Sequence, residues 1–223
     1  YSLVLVLSSY SIASDELNNQ IAKVNEIVDK YDDGAIVAGE GPLMKDLVEI
    51  SDRDFNSVNT VSIAVIFVIM AIVLKSISLP VLLMAAIEFA IFLNLGASYV
   101  TGAEIPFIAS IVIGIIQLGA TIDYAILLTT KYLAERKRGV EKVTAIRKAL
   151  SGSIQSIIVS AMCFFGATFG VGAISQIDMI GSLCTLISRG ALISMLIVLT
   201  VVPALLVTFD GLIRKTTLGF NKE

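Results

Sequence analysis

The sequence predicts an α-helical integral membrane protein with five transmembrane helices, preceded by a partial α/β external subdomain of β-α-β (ferredoxin-like) type. The 223 residues are 56% hydrophobic and have a mean hydropathy of +0.89, whereas soluble domains are roughly 45–50% apolar. The excess lies in long runs that reach or approach the ~20 residues needed to cross a bilayer. In addition, the basic residues are confined to alternate loops between these runs.

Residues 1–57 show the patterns of a small soluble unit. The segment YSLVLVLSS predicts a buried strand, and AIVA at 35–38 predicts a second, shorter one. Between them, Ser14 is a suitable N-cap for a helix with apolar residues at helical spacing. A β-α-β unit of this size cannot cover both faces of its strands. We therefore expect residues 1–57 to be a fragment of an external domain whose other strands lie upstream.

The five predicted spans cover residues 58–74, 77–99, 106–130, 154–174 and 179–209. Lys and Arg follow the first, third and fifth spans, whereas the other two loops carry Glu104 and Asp178 and no basic residue. Cytoplasmic loops of membrane proteins are enriched in Lys and Arg. We therefore expect residues 1–57 outside the cell and the tail, residues 210–223, in the cytoplasm.

Residues 131–150, between the third and fourth spans, are rich in Lys and Arg. Val140, Val143, Ile146 and Leu150 form a narrow apolar stripe among these charges. The pattern is typical of an amphipathic helix on the cytoplasmic membrane surface, and a solvated loop with a short helix fits it equally well. Because topology alone accounts for the charges, they indicate no nucleic-acid partner.

Asp123, in the segment GATIDY, is the main candidate functional residue. At ~1.5 Å per residue it lies roughly 12 Å inside the membrane from Lys131, where an ionisable side chain costs roughly 2.5–3.5 kcal/mol. Tyr124 adds a hydroxyl that can donate and accept hydrogen bonds. We expect the two residues to form a proton-translocation site. The structural alternative is an Asp that hydrogen-bonds a neighbouring Ser or Thr. An Asp123 side chain facing open lipid without a polar companion would contradict proton translocation.

Three further polar residues inside the spans are candidate secondary sites: Glu88, Gln117 and Arg189. Glu88 is predicted at the depth of Asp123, and Gln117 is expected to serve packing and hydrogen bonding. Arg189 is predicted in the outer half of its span. An Asp123–Arg189 ion pair is therefore disfavoured.

Small residues predict where helices pack closely. Gly119 and Ala120 lie on the same helix face as Asp123, and Gly166 and Gly170 form a GxxxG pattern in the fourth span. Such residues allow membrane helices to approach each other closely.

The residue inventory argues against an enzyme. The chain contains no histidine, which removes Ser-His catalysis and His-based metal sites. An aspartyl protease needs two acids that share one site, and only Glu88 and Asp123 have similar depth. We expect no enzymatic activity, no cofactor and no metal.

Three segments resemble the MMPL-type transporters of the resistance-nodulation-division superfamily: GATIDY with its basic tail, GAEIPFIASIVIG before it, and SRGALISMLIVLTVVPALL. The resemblance covers essentially the whole chain, and the five-helix layout is also similar to sterol-sensing domains. It implies that residues 1–57 end a porter domain and that Asp123 and Tyr124 carry proton coupling. It also implies that the chain is one half of a two-half transporter, with the C-terminal half favoured.

This resemblance implies export of hydrophobic or amphipathic substrates, lipids or drugs, driven by the proton-motive force across a bacterial cytoplasmic membrane. The implied partners are the lipid bilayer, the other half of the transporter and the substrate, and oligomer formation is left open. The alternative is a sterol- or lipid-responsive regulatory membrane domain that binds without transport.

Overall fold

The computed structural model describes residues 3–12, 14–32, 34–101 and 109–218. This part of the chain contains seven helices: α1 (Asp15–Tyr31), α2 (Glu40–Leu74), α3 (Ser78–Thr101), α4 (Ala109–Lys137), α5 (Lys142–Ile174), α6 (Asp178–Thr208) and α7 (Asp210–Thr216). The chain divides into two compact units, residues 1–56 and residues 57–223.

In the first unit, α1 begins as the sequence predicts. The Ser14 hydroxyl accepts a hydrogen bond from the Leu17 N–H at 3.2 Å, which satisfies one of the free amide groups at the helix start. The prediction of the Ser14 N-cap is thus confirmed. Leu17 and Ile21 are the buried residues of α1, and Gly41 at the start of α2 lies against both side chains.

The predicted β-α-β arrangement is not found. Residues 3–9 and 35–38 form no strand, and the described residues contain only an isolated bridge between Ser76 and Thr217. The side chains from Leu3 to Leu7 are 63–94% exposed. A strand requires a neighbouring strand to satisfy its backbone N–H and C=O groups, and the two apolar segments do not pair with each other. The α/β part of the predicted fold class is therefore unsupported; residues 1 and 2 of the first predicted strand lie outside the described residues.

The membrane part agrees with the sequence. Five helices, α2 to α6, are long and apolar enough to cross a membrane, which confirms the predicted number. The first residues of the third predicted span, 106–108, lie outside the described part, as does Glu104. α2 and α5 begin well before the predicted spans, at Glu40 and Lys142. The first part of each helix is polar, and hydropathy alone does not reveal a polar helical segment.

Helix α6 is the centre of the second unit, and it packs against α3, α4, α5 and α7. The apolar core includes Leu83 and Ile87 from α3, Leu128 from α4 and Val198 from α6, all nearly inaccessible to solvent. The most apolar stretches of α3, α4 and α6 are 39–50% buried, against 11% for α2 and α5. The core is therefore built mainly from three helices.

Residues 131–150 are divided between two helices rather than forming one helix of their own. α4 continues to Lys137 and α5 begins at Lys142. Between them, Gly139 adopts a positive φ of 79°, a conformation that favours glycine, and its N–H donates to the Arg136 carbonyl at 3.0 Å. Ile146, from the predicted apolar stripe, is buried in the protein core. The stripe thus packs in part against neighbouring helices. An amphipathic pattern alone does not show whether its apolar side contacts other helices or the membrane surface.

A largely buried ion pair joins the end of α4 to α7. The Asp210 carboxylate accepts hydrogen bonds from Tyr132 Oη at 2.7 Å, Arg136 Nε at 2.8 Å and Arg136 Nη2 at 2.5 Å. A further Arg136 nitrogen, Nη1, donates to the Val140 carbonyl at 2.6 Å. We call Tyr132, Arg136 and Asp210 the Asp210 clamp. It holds the turn after α4 and the start of α7 together.

The C-terminal segment also returns to the turn between α2 and α3. The Leu218 N–H donates to the Lys75 carbonyl at 2.9 Å, and the Ser78 and Thr216 hydroxyls are 2.5 Å apart. The three basic segments of the sequence therefore meet at one end of the second unit, which we call the basic end. This arrangement accords with loops that share one side of a membrane.

The first prediction concerns the Asp210 clamp. Burial raises the pKa of Asp210, but the hydrogen bonds from Arg136 and Tyr132 outweigh burial and hold the pKa below its ordinary value. Replacing Asp210 by Asn leaves the Arg136 guanidinium without its counter-charge. We expect the free energy of unfolding to fall by about 3 kcal/mol, measured by thermal unfolding of the detergent-purified protein.

The pH dependence of this loss follows from the lowered pKa. Because the folded pKa is depressed, the clamp contributes fully above the unfolded Asp pKa of about 3.9 and is lost as pH falls through the folded value. The difference between wild type and Asp210→Asn should stay constant from neutral pH down to about 5 and shrink only in stronger acid. Asp46→Asn, at an exposed position, serves as the control. A difference that already disappears near neutral pH would contradict the ion pair.

Candidate functional site in the membrane helices

Asp123 and Tyr124 lie on α4 but face different surroundings. Tyr124 is buried, and its hydroxyl lies near Ser160 and Cys163 of α5. Asp123 is exposed, and its carboxylate forms no hydrogen bond or ion pair with any residue that the structure describes. Consecutive helix residues point about 100° apart, so one member of the pair can pack inward while the other points outward.

The exposed side of Asp123 belongs to a continuous face of α4. Ile116, Gly119, Asp123 and Thr130 are all exposed, and their spacing places them along one side of the helix. A Cβ atom added at Gly119 would meet no atom within 4 Å. We call this surface the Asp123 face. The insertion cost of an acid predicted a buried carboxyl; within the described chain, however, no helix packs over this face.

The predicted packing glycines are open, whereas two others are closely packed. A Cβ atom added at Gly166 or Gly170 would also meet no atom within 4 Å, and Ala120 is only partly buried. In contrast, a Cβ atom at Gly172 would lie 3.1 Å from Thr185 Oγ1, and one at Gly190 would lie 2.6 Å from two side-chain atoms. Small-residue spacing identifies positions that permit close contact, but it does not identify the neighbour.

A buried polar network connects α3, α4 and α6. Asn94 Nδ2 donates to Gln117 Oε1 at 2.9 Å and to the Leu186 carbonyl at 3.1 Å. Gln117 Nε2 donates in turn to Ser194 Oγ at 3.0 Å. Gly190 allows this approach, because its missing side chain leaves room for the amides of Asn94 and Gln117. The network fixes the three central helices relative to each other.

Arg189 is joined to this network through Asn94. Arg189 Nε donates to Asn94 Oδ1 at 3.0 Å, and Nη2 donates to the Asn94 carbonyl at 2.7 Å and to Ser98 Oγ. The sequence predicted Gln117 and Arg189 as separate sites. Asn94 was not predicted, although an amide in the apolar run IFLNLGAS was the available signal. No Asp123–Arg189 ion pair forms among the described residues.

Glu88 stands apart from the other candidates. It is partly buried, and its Oε1 atom has no hydrogen-bond partner among the described residues. Glu88 and Asp123 lie equally far along their helices from the Asn94–Gln117 contact, so they share a level. The described contacts nevertheless do not bring the two acids together.

The described residues offer a titratable carboxyl and a fixed cation, but no cluster of His, Cys, Asp or Glu that could hold a metal ion. The Asp123 carboxyl is open to water or to another polar group on the Asp123 face. The Tyr124 hydroxyl lies near that of Ser160, between α4 and α5.

Comparison with known proteins gives a consistent set of relatives. The sequence model described as "MMPL family" matches residues 3–215. The chain is 26% identical to "Probable transport protein MmpL1" of Mycobacterium tuberculosis over 86% of the chain and 21% of that protein. It is 27% identical to "Putative membrane protein YdgH" of Bacillus subtilis over 93% and 24%, and 28% identical to "Siderophore exporter MmpL5" of M. tuberculosis over 73% and 17%. The chain thus spans about a quarter or less of these relatives.

The close approach at Gly190 leads to the second prediction. A methyl group there would meet Asn94 Nδ2 and Gln117 Oε1 at 2.6 Å, so Gly190→Ala must displace both amides and break their hydrogen bonds. We expect a loss of stability of about 1–3 kcal/mol, measured as a lower unfolding temperature in detergent. Gly96→Ala on α3 is the matched control, since its added methyl meets no atom within 4 Å. Equal effects of the two substitutions would contradict the network.

Proposed function

Because the chain belongs to the MMPL family, we propose that it forms one half of a membrane transporter that exports hydrophobic or amphipathic substrates, lipids or drugs, by using the proton-motive force. The chain is a multi-pass membrane protein with five membrane-spanning helices. Two relatives carry the names of a transport protein and a siderophore exporter, which supports export as the activity.

The match of the MMPL family model to residues 3–215 is the observation that carries the proposal. The Asp123 carboxylate is exposed and has no partner among the described residues. This arrangement contradicts proton translocation by the described helices alone, so the proposal depends on a surface that the other half supplies. A charged carboxyl group facing hydrocarbon is strongly unfavourable, and the described helices provide no partner for it. The Asp123 face therefore needs a protein surface with polar groups. A second half of the transporter, packed over Gly119 and Asp123, would supply that surface and bury the carboxyl beside Tyr124.

In the proposed mechanism, a proton from outside the cell neutralises Asp123. The neutral side chain no longer requires a charged or strongly polar partner, so the contacts over the Asp123 face rearrange. Tyr124 and Ser160 offer a hydrogen-bonding route between α4 and α5 for the proton. The movement then passes to the external domain formed in part by residues 1–57.

The available energy is sufficient for such a switch. One charge crossing the membrane potential contributes roughly 2.3 kcal/mol per 100 mV. A difference of about 1.4 kcal/mol already changes the ratio of two packing states tenfold. A single proton can therefore shift the population of one helix arrangement relative to another.

The proposed topology follows the positive charges. Residues 1–57 lie outside, residues 58–209 span the membrane, and residues 210–223 lie in the cytoplasm with the helix ends between 131 and 150. The meeting of Lys75, the 131–148 segment and the α7 segment at the basic end supports this orientation.

The third prediction tests Asp123 in the full-length protein. Asn has nearly the shape of Asp but cannot take up and release a proton. We expect Asp123→Asn to abolish proton-coupled export in proteoliposomes with an imposed proton gradient, at unchanged amounts of folded protein. Tyr124→Phe should retain part of the activity, because the ring still packs against α5 while the hydroxyl is lost. Asp178→Asn, at the start of α6, is the control. Normal coupled export by Asp123→Asn would refute the proton-relay role.

The fourth prediction tests whether protein covers the Asp123 face. Gly119→Leu adds a bulky side chain where the described chain leaves open space. If another half packs there, the substitution should lower both export and the unfolding temperature of the full-length protein. Gly96→Leu is the matched control at an open glycine of α3. Equal tolerance of both leucines would show that lipid, rather than protein, adjoins Gly119.

A further inference from the structure

Among the described residues, no acidic side chain pairs with the positive charge of the Arg189 guanidinium. Its three acceptors are neutral: the Asn94 side-chain and backbone oxygens and the Ser98 hydroxyl. The ion pairs of the described residues are Arg136–Asp210, Arg138–Glu135 and Lys148–Glu135. Arg189 takes part in none of them. Its Nη1 atom donates to no residue in the described part of the chain, so both charge and a donor are available for a further group.

The position of Arg189 makes its guanidinium reachable from a membrane surface. α6 has 31 residues and is therefore about 46 Å long, against a hydrocarbon core of about 30 Å. If α6 is centred, the Arg189 backbone lies roughly 9 Å inside the boundary of that core. The Arg189 side chain contacts Ser98 of α3. Ser98 lies one turn beyond Asn94, towards the end of α3 that is opposite the basic end. The guanidinium thus extends towards the nearer boundary.

The surrounding contacts hold this cation in one place. Asn94, which supplies two of the three acceptors, is itself fixed by Gln117 and by the Leu186 carbonyl. Gln117 is fixed by Ser194. Arg189 is only partly buried, so the described helices do not enclose the residue completely. Nε and Nη2 are occupied by Asn94 and Ser98, so Nη1 is the nitrogen that remains to donate to a carboxylate or phosphate, and the positive charge strengthens such a hydrogen bond.

We propose that Arg189, positioned by Asn94 and Ser98, binds the anionic headgroup of an amphipathic molecule in the membrane half opposite the basic end. The headgroup is a carboxylate or a phosphate, and the apolar tail lies along the membrane surface of α3 and α6. Equilibrium binding at this site needs no proton gradient. A lack of anion binding at this site is therefore distinguishable from a lack of proton-driven export.

The test uses the full-length protein in nanodiscs of zwitterionic phosphatidylcholine. The probes are a fluorescent long-chain fatty acid, its neutral methyl ester, and a fluorescent phosphatidic acid. We expect the wild type to bind the two anionic probes more tightly than the ester. Arg189→Gln should weaken binding of the anionic probes by at least roughly tenfold and leave ester binding unchanged. Arg147→Gln, at an exposed site near the basic end, should have no effect.

The source of the headgroup is distinguished by two measurements. Native mass spectrometry of the wild type that detects a retained anionic phospholipid, absent from Arg189→Gln, would assign the site to a resident lipid. In proteoliposomes, exchange of the fatty acid, followed by its appearance across the membrane, would assign the site to a transported molecule. Either result supports the anion site.

Two outcomes would overturn the proposal. One is equal affinity of the wild type for the acid and its ester. The other is a folded Arg189→Gln variant that keeps the preference for anions, which would make Arg189 a structural link only. If that variant does not fold, Arg189→Lys decides, because it keeps the positive charge but cannot make the three contacts to Asn94 and Ser98 and still present a free donor. A selective loss of acid binding by the Lys variant supports the site, and unchanged binding rejects it.

Discussion

Inside a bilayer, a polar side chain is stable only when another part of the protein provides its hydrogen-bond partner. The Asn94 amide meets this requirement by contacting α4 and α6 at once, and Gly190 is the position that makes the contact short enough. The three central helices are therefore related by directional bonds, in addition to apolar contacts that would tolerate sliding or rotation. Arg189 depends on the same amide for its orientation.

The same requirement separates Asp123 from Arg189. Arg189 is held by neutral oxygens within the described helices, whereas the Asp123 carboxylate is on an open face of α4. A fold can contain the first arrangement by itself, but the second is stable in a membrane only beside a further polar surface. This difference is the reason why we propose a role for Asp123 between two halves of a transporter, in place of a structural role within one half.

Much of the membrane fold could be predicted from the sequence, because hydropathy and the positions of Lys and Arg report directly on membrane spans. The strands predicted in residues 3–9 and 35–38 were wrong for another reason: apolar composition favours burial but does not specify a pairing partner. The importance of Asn94 and Gly190 was missed because it arises from contacts between distant helices. For Asp123, the sequence indicated an unusual energetic cost, but it contained no information on the surface that the carboxyl faces.

The Asp210 clamp joins residues that are far apart in the order of synthesis. Arg136 and Asp210 are separated by 74 positions, and two complete membrane helices emerge from the ribosome between them. Tyr132 and Arg136 can therefore contact the Asp210 carboxylate only after α6 has been inserted in the correct orientation. An inverted insertion would leave Asp210 on the opposite side of the membrane. Because α5 and α6 are synthesised between its two partners, this contact closes late in the assembly of the second unit, and only in a chain whose α6 has the correct orientation.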